Sequence, residues 1–209
     1  MKKIILFLFF IGLSFIEVKS QTQIAVCPQS GSFSSMTRGY YFTAQTSFTI
    51  CGIYVEDDMS TAAQSVAIVR FTAGPPPAYA ATTNNFVTLF QSLNYVPNNM
   101  IATPTITVNV GDIIGVYGSR GNGVNSYGAS QCVVNINAIP HTLYRSGMQF
   151  NLATQTGMHD IWNENNGSIG RVTLYTNCCA LPTAVPAITG SSTVCEGNTV
   201  TYSCAAQTG

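Results

Sequence analysis

Past residue 20 this 209-residue chain has no lysine: its three lysines are Lys2, Lys3 and Lys19. Five arginines (Arg38, Arg70, Arg120, Arg145 and Arg171) carry all the remaining fixed positive charge. They face seven acids: Glu56, Asp57, Asp58, Asp112, Asp160, Glu164 and Glu196. So few cations leave no footprint for a phosphate backbone, which excludes nucleic acid as a partner class. Apolar residues at helical spacing are also nearly absent, which argues against a helical core. Catalytic signatures are missing: there is no G-x-S-x-G, no H-E-x-x-H and no phosphate loop. "GSRGNG" (118–123) holds a partial G-x-G, but no helix pattern follows to orient a phosphate, so it reads as a loop. There is no C-x-x-C pair, and His141 and His159 are the two histidines, which leaves no zinc-type ligand spacing. The chain is expected to be non-catalytic.

What is there begins with a leader. Met1-Lys2-Lys3 is a positive start, residues 4–16 are almost wholly apolar, and Ser20 precedes Gln21 at a small-residue cut. This is the pattern of a secretory signal over 1–20. Its apolar run is too short to span a bilayer. The expected location is secreted or at the cell surface, without a membrane span after cleavage. The surface is then made of Thr, Ser, Asn and Gln.

Period-two runs follow. In "PTITVNVGD" (104–112), Ile106, Val108 and Val110 face one way and Thr105, Thr107 and Asn109 the other. Such alternation marks a strand with one buried face. Further strands are expected at "FTICGIYV" (48–55), "SVAIVRF" (65–71), "DIIGVYG" (112–118), "CVVNINAI" (132–139) and "GRVTLYT" (170–176). Weaker ones lie at "GYYFTAQ" (39–45) and "MQFNLAT" (148–154). Turn residues at 74–77, 96–99, 110–112 and 165–167 separate them. Gly111-Asp112 suits a tight reversal, where Gly takes positive φ and Asp bonds turn amides; that role is favoured over metal ligation for Asp112. The expected fold is all-β, a β-sandwich or jelly-roll-like domain over 21–179.

All seven cysteines (Cys27, Cys51, Cys132, Cys178, Cys179, Cys195 and Cys204) follow the leader, and an oxidising compartment favours disulfides. Cys132 shares a face with Val134 and Ile136, and Cys51 sits in a strand apolar on both sides. A Cys51–Cys132 bridge inside the sandwich is therefore the expected staple, with Cys27 joining Cys178 or Cys179. An odd count leaves one thiol free or paired beyond this sequence.

Three clusters are candidate sites. In "VEDDMS" (55–60), Glu56, Asp57 and Asp58 could ligate Ca²⁺ through oxygen; a solvated acidic loop guarding a sheet edge is the competing reading. In "GMHDIWNENNGS" (157–168), Asp160 and Glu164 could form a glycosidase-like carboxylate pair beside His159. Trp162, the one tryptophan, could be a sugar platform or core. The Gly, Asn and Ser-rich stretch 118–131 reads as a connector in which Arg120, Asn125 and Tyr127 could bind a glycan.

At the far end, Pro182 and Pro186 interrupt pairing and mark a linker over 180–187. Residues 188–209, "ITGSSTVCEGNTVTYSCAAQTG", then open a new strand pattern. Ile188, Gly190, Val194, Cys195, Gly197, Val200 and Tyr202 resemble the first strands of PKD-like, immunoglobulin-like modules in bacterial surface proteins of the type IX secretion route. Residues 21–179 more loosely resemble the β-sandwich heads that precede such modules. The resemblance implies an incomplete module, because its early Cys commonly pairs with a late one and a sorting segment commonly follows; Cys204 has no place in the pattern. The expected whole is a surface β-protein in adhesion or carbohydrate binding, contacting an extracellular glycan or surface protein. The alternative is the accessory front of a secreted hydrolase with its catalytic part beyond residue 209.

Overall fold

The computed structural model describes residues 21–155 and 157–177. The expected leader, Cys178, Cys179, the linker and the module start lie outside the described residues. Among those described there is no α-helix. The chain runs through β1 (Thr22–Ile24), β2 (Gly31–Phe33), β3 (Arg38–Thr43), β4 (Phe48–Val55) and β5 (Gln64–Phe71). Next come β6 (Phe86–Tyr95), β7 (Ile101–Val108), β8 (Ile113–Arg120), β9 (Asn125–Ser130) and β10 (Cys132–Ile136). The last are β11 (Ile139–Gly147), β12 (Trp162–Asn163), β13 (Ser168–Gly170) and β14 (Val172–Thr176).

Three antiparallel sheets result. One has the order β1-β14-β4-β7, the large one β10-β11-β3-β8-β5-β6 with β12 added on β11, and the smallest β13-β9-β2. The main core fills the space between the first two. Phe48, Ile50, Ile53, Val55, Ile106, Val108, Val172 and Leu174 from one sheet meet Tyr40, Phe42, Val66, Ile68, Ile114, Val116 and Leu143 from the other. This two-layer arrangement is consistent with a β-sandwich.

The opposite face of the large sheet is covered as well. Tyr41, Ala67, Val69, Phe71 and Tyr117 pack there under Met148, Leu152 and Ile161 from the β11–β12 connection. Strands β5 and β8 are thus buried on both faces, and that is why "SVAIVRF" and "IIGVYG" are near-continuous apolar runs rather than alternating ones. Crowding at the centre is severe at Gly39 of β3, where a Cβ would run into the Val116 carbonyl.

The reversal at 109–112 follows its chemistry. Gly111 has φ +88°, and Asp112 Oδ2 accepts the Asn109 N–H at 2.9 Å. Because β7 ends at Val108, Val110 does not join Ile106 and Val108 on the buried face; it is 65% exposed. The stretch 148–154 is not a strand: it caps the large sheet and contains a 3-10 turn at Leu152–Thr154, begun by Asn151 accepting from the Ala153 N–H. The expected connector 118–131 is mostly strand, being the end of β8 and all of β9.

The disulfide expectation is corrected. Cys27 is bridged to Cys132, with Cα atoms 5.9 Å apart. The reason is parity. In β4, Phe48 and Ile50 point to the core, which puts Cys51 on the side of Thr49, away from Cys132. A bulge between Ile50 and Gly52 then shifts the inward set to Ile53 and Val55. Cys51 is itself disulfide-bonded. The Cys27–Cys132 bridge joins the chain just after β1, an edge of one sheet, to β10, an edge of the other.

Peptide mapping without reduction is expected to recover a Cys27–Cys132 linked pair, and a Cys51–Cys132 pair would contradict the fold. Replacing Cys27 and Cys132 together by serine should cost about 2–4 kcal/mol in urea unfolding, as expected for closing so long a loop.

Candidate functional site

The sequence-predicted glycan residues Arg120 and Asn125 are not at the surface. Arg120, 1% exposed at the end of β8, donates through Nε to Val55 O (3.0 Å) and through Nη1 to Ala62 O (3.0 Å). Its guanidinium fastens the β4–β5 connection, and burial pulls its pKa below the ordinary value. Asn125, also 1% exposed, accepts the Arg38 N–H through Oδ1 at 3.0 Å and donates to Gly123 O and Met36 O. It ties the start of β9 to the approach to β3. Neither side chain can reach a ligand while so engaged.

Trp162 and Tyr127 belong to an interior stack. Trp162 is 1% exposed, with the Arg38 Cζ 5.0 Å and the Arg145 Cζ 5.8 Å from its ring. Arg145 also lies 4.9 Å from the Tyr127 ring, and Phe33 stacks on Tyr127 with centroids 6.1 Å apart. The indole is core rather than a sugar platform; exposed Tyr79 covers it edge-on at 5.4 Å.

The three consecutive acids do not converge. Glu56 accepts the Thr173 hydroxyl at 2.5 Å and faces Arg171. Asp57 accepts from Asn98 Nδ2 at 3.0 Å, the bond chiefly responsible for holding its carboxyl below the usual range. Asp58 pairs with Arg171 and accepts from Ser126 Oγ at 2.9 Å. Alternation along an extended segment sends Glu56 and Asp58 to one side, toward Arg171, and Asp57 to the other, toward Asn98. Among the described residues, no three His, Cys, Asp or Glu side chains gather to hold a metal ion.

Asp160 and Glu164 are likewise divided. Glu164 pairs with Arg145 Nε at 2.8 Å. Asp160 binds His159 Nδ1 at 2.9 Å and accepts from Asn84 Nδ2 at 3.2 Å. Those bonds, the one from His159 first, hold the Asp160 carboxyl below its ordinary value. A glycosidase acid needs the opposite, a carboxyl raised so that it keeps its proton.

A groove without charged groups lies elsewhere among the described residues. An open groove of about 310 Å³ on the large sheet is lined by Thr43, Gln45, Pro140, Thr142 and Tyr144. It holds two hydroxyls, one amide and one phenol, and no charged side chain. The register of β3 with β11 (Tyr41 opposite Tyr144) places Thr43 beyond Tyr41 and Thr142 beyond Tyr144 on the same face. Its parts are braced from behind. The Tyr144 ring stacks on Tyr41 at 5.5 Å, and the Tyr41 hydroxyl donates to Asn165 Oδ1 at 2.8 Å. The Gln45 N–H donates to His141 Nε2 at 2.9 Å, while His141 Nδ1 sits 2.8 Å from Ile139 O, the arrangement of an imidazole protonated on Nδ1 alone. His141 is 1% exposed, edge-on to Phe42 and Phe48. None of the five lining residues was singled out from sequence as a binding candidate. The available signal was the alternation His141-Leu143 inward against Thr142-Tyr144 outward.

Compared with known proteins, the chain matches no family model, no curated protein and no solved structure.

Removing the buried clamp in Arg120→Ala leaves Val55 O and Ala62 O without their donor, so unfolding free energy in urea should fall by about 3 kcal/mol. Asp160 behaves differently. Its carboxyl titrates lower in the folded chain, so the stabilisation is present above its ordinary value of 3.8 and is lost as pH falls through the folded one. The Tm difference between the wild type and Asp160→Asn should therefore be small near neutrality and close as pH drops from about 4 toward 2.

Proposed function

We propose that this chain is an exported, non-catalytic binding protein, a jelly-roll-like β-sandwich that recognises neutral carbohydrate in the groove of Thr43, Gln45, Pro140, Thr142 and Tyr144. The observation that carries the reading is the lining itself: hydroxyl, amide and aromatic groups without any charge. Sugars present hydroxyls that both donate and accept, together with apolar C–H faces. Gln45 supplies both a donor and an acceptor, the threonines supply hydroxyls, and Tyr144 supplies a ring edge and a phenol. Bracing by Tyr41 and His141 reduces the ordering cost of binding. The half-open shape suits one face of an oligosaccharide more than an enclosed small molecule. A disulfide linking two sheet edges supports an oxidising, extracellular setting. Adhesion to a glycan-bearing surface is the role such a site would serve.

A glycan array and calorimetry on the full chain test this. Neutral oligosaccharides should bind, and Tyr144→Ala should weaken them by roughly two- to tenfold, since one aromatic contact contributes roughly 0.5–1.5 kcal/mol. Gln45→Ala should weaken them by a smaller factor, with Tm nearly unchanged, whereas Tyr144→Ala also lowers Tm because its stack on Tyr41 is lost. Absence of any neutral ligand, or binding unchanged in Tyr144→Ala, would overturn the assignment.

A further inference from the structure

Three buried donors gather at one guanidinium with no carbonyl or carboxylate to accept them. Arg38 Nε, Trp162 Nε1 and Tyr127 Oη are enclosed polar atoms without a hydrogen-bond partner. Arg38 is 4% exposed, and no carboxylate pairs with it among the described residues. Its Nη1 donates to Thr37 O and Met148 O and its Nη2 contacts Met36 Sδ, which leaves Nε over. The guanidinium lies over the rings of Phe33 (4.7 Å) and Trp162 (5.0 Å), and the Tyr127 phenol oxygen can accept from it. Arg145 adds a second cation beside the Trp162 and Tyr127 rings, answered by the single carboxylate of Glu164. The locality therefore holds one positive charge without a carboxylate, and the Arg38 Nε–H, the Trp162 Nε1–H and the Tyr127 O–H have no carbonyl or carboxylate to accept them.

We propose that Arg38, Trp162 and Tyr127 bind a small monovalent anion of halide size. Leaving buried donors without acceptors is destabilising, and a buried unpaired cation is more so. An acceptor that also carries negative charge removes both penalties, whereas a neutral water removes only the first. The ion must be compact, because the backbone closes in: a Cβ at Gly147 would come within 2.7 Å of Arg38 Cδ and 3.2 Å of Trp162 Cζ2. Burial lowers the Arg38 pKa, the direction an uncompensated buried cation takes. The site is independent of the carbohydrate groove, on different residues and with a different ligand chemistry.

Trp162 is the chain's one tryptophan, so its emission reports on this place alone. Sodium bromide, titrated into the full chain against sodium methanesulfonate at constant ionic strength, is expected to quench that emission with saturation and to raise Tm. Tyr127→Phe, which removes one donor and keeps the ring, should move the half-saturation point upward by about tenfold, the effect of one hydrogen bond to a charged group. Arg38→Gln should abolish the saturable component; if that variant does not fold, the Tyr127→Phe shift decides. Bromide soaked into crystals should give an anomalous peak within hydrogen-bond distance of Trp162 Nε1 and Arg38 Nε. A linear or absent quench, no shift in Tyr127→Phe, or a site filled by water with no anomalous signal would overturn the proposal.

Discussion

The structure depends on guanidinium groups bound to backbone carbonyls. All five arginines beyond residue 20 donate to a main-chain oxygen: Arg38 to Met148, Arg70 to Thr107, Arg120 to Val55 and Ala62, Arg145 to Ser168, and Arg171 to Cys27. Each bond crosses from one segment to another, far apart in sequence. The physical reason lies in the sheets. A large sheet buried on both faces forces its connections to fold back over apolar surface, where their carbonyls lose water and need donors. Arginine meets that need with several N–H groups in a fixed plane, and its stem packs against aromatic rings at little cost. With no lysine in this region, the positive charge of the folded part is largely internal.

That assignment shapes what remains outside. Of the arginines, Arg70 is the most exposed, at 32% of its side chain, and it is paired with Asp112. The acids are similarly engaged: Asp58 and Glu56 with Arg171, Glu164 with Arg145. Long-range electrostatic steering is therefore weak, and what the described surface offers is shape, hydroxyls and rings. The groove beside Tyr144 is where these conditions meet on a braced part of the sheet. Its walls come from β3 and β11, so the same ladder that builds the core also sets the spacing of the lining groups.

Much of this was legible in the residues. Strand β4 matches its run from Phe48 to Val55, and the inward faces of β7 and β10 follow from alternation at Ile106, Val108, Cys132, Val134 and Ile136. What escaped is instructive. Strand β9, "NSYGAS", has a loop's composition; Asn125 and the Ser126 carbonyl, which accepts from the Arg171 N–H, hold it in place through partners distant in sequence. Strand β6 mixes apolar and polar residues at intermediate exposure because it edges the large sheet, and it shows no clean period. The bulge at Ile50/Gly52 changes parity inside one strand, which local pattern cannot reveal, and the cysteine pairing went wrong with it. Arg120 reads as a ligand group because polarity in a loop-like stretch suggests exposure, and tertiary contacts turn it inward; for Trp162, open between sugar platform and core, they decide for core. The groove lay across two strands that are roughly a hundred residues apart, so no single window held it.

The internal role of arginine is open to direct measurement by nitrogen-15 NMR of the guanidinium groups, through Nε–H exchange with water and rotation about the Nε–Cζ bond. The account predicts slow exchange and hindered rotation for Arg38, Arg120, Arg145 and Arg171, with faster averaging at Arg70. Five guanidinium groups that all exchange and rotate as freely as solvent-exposed arginine would contradict it.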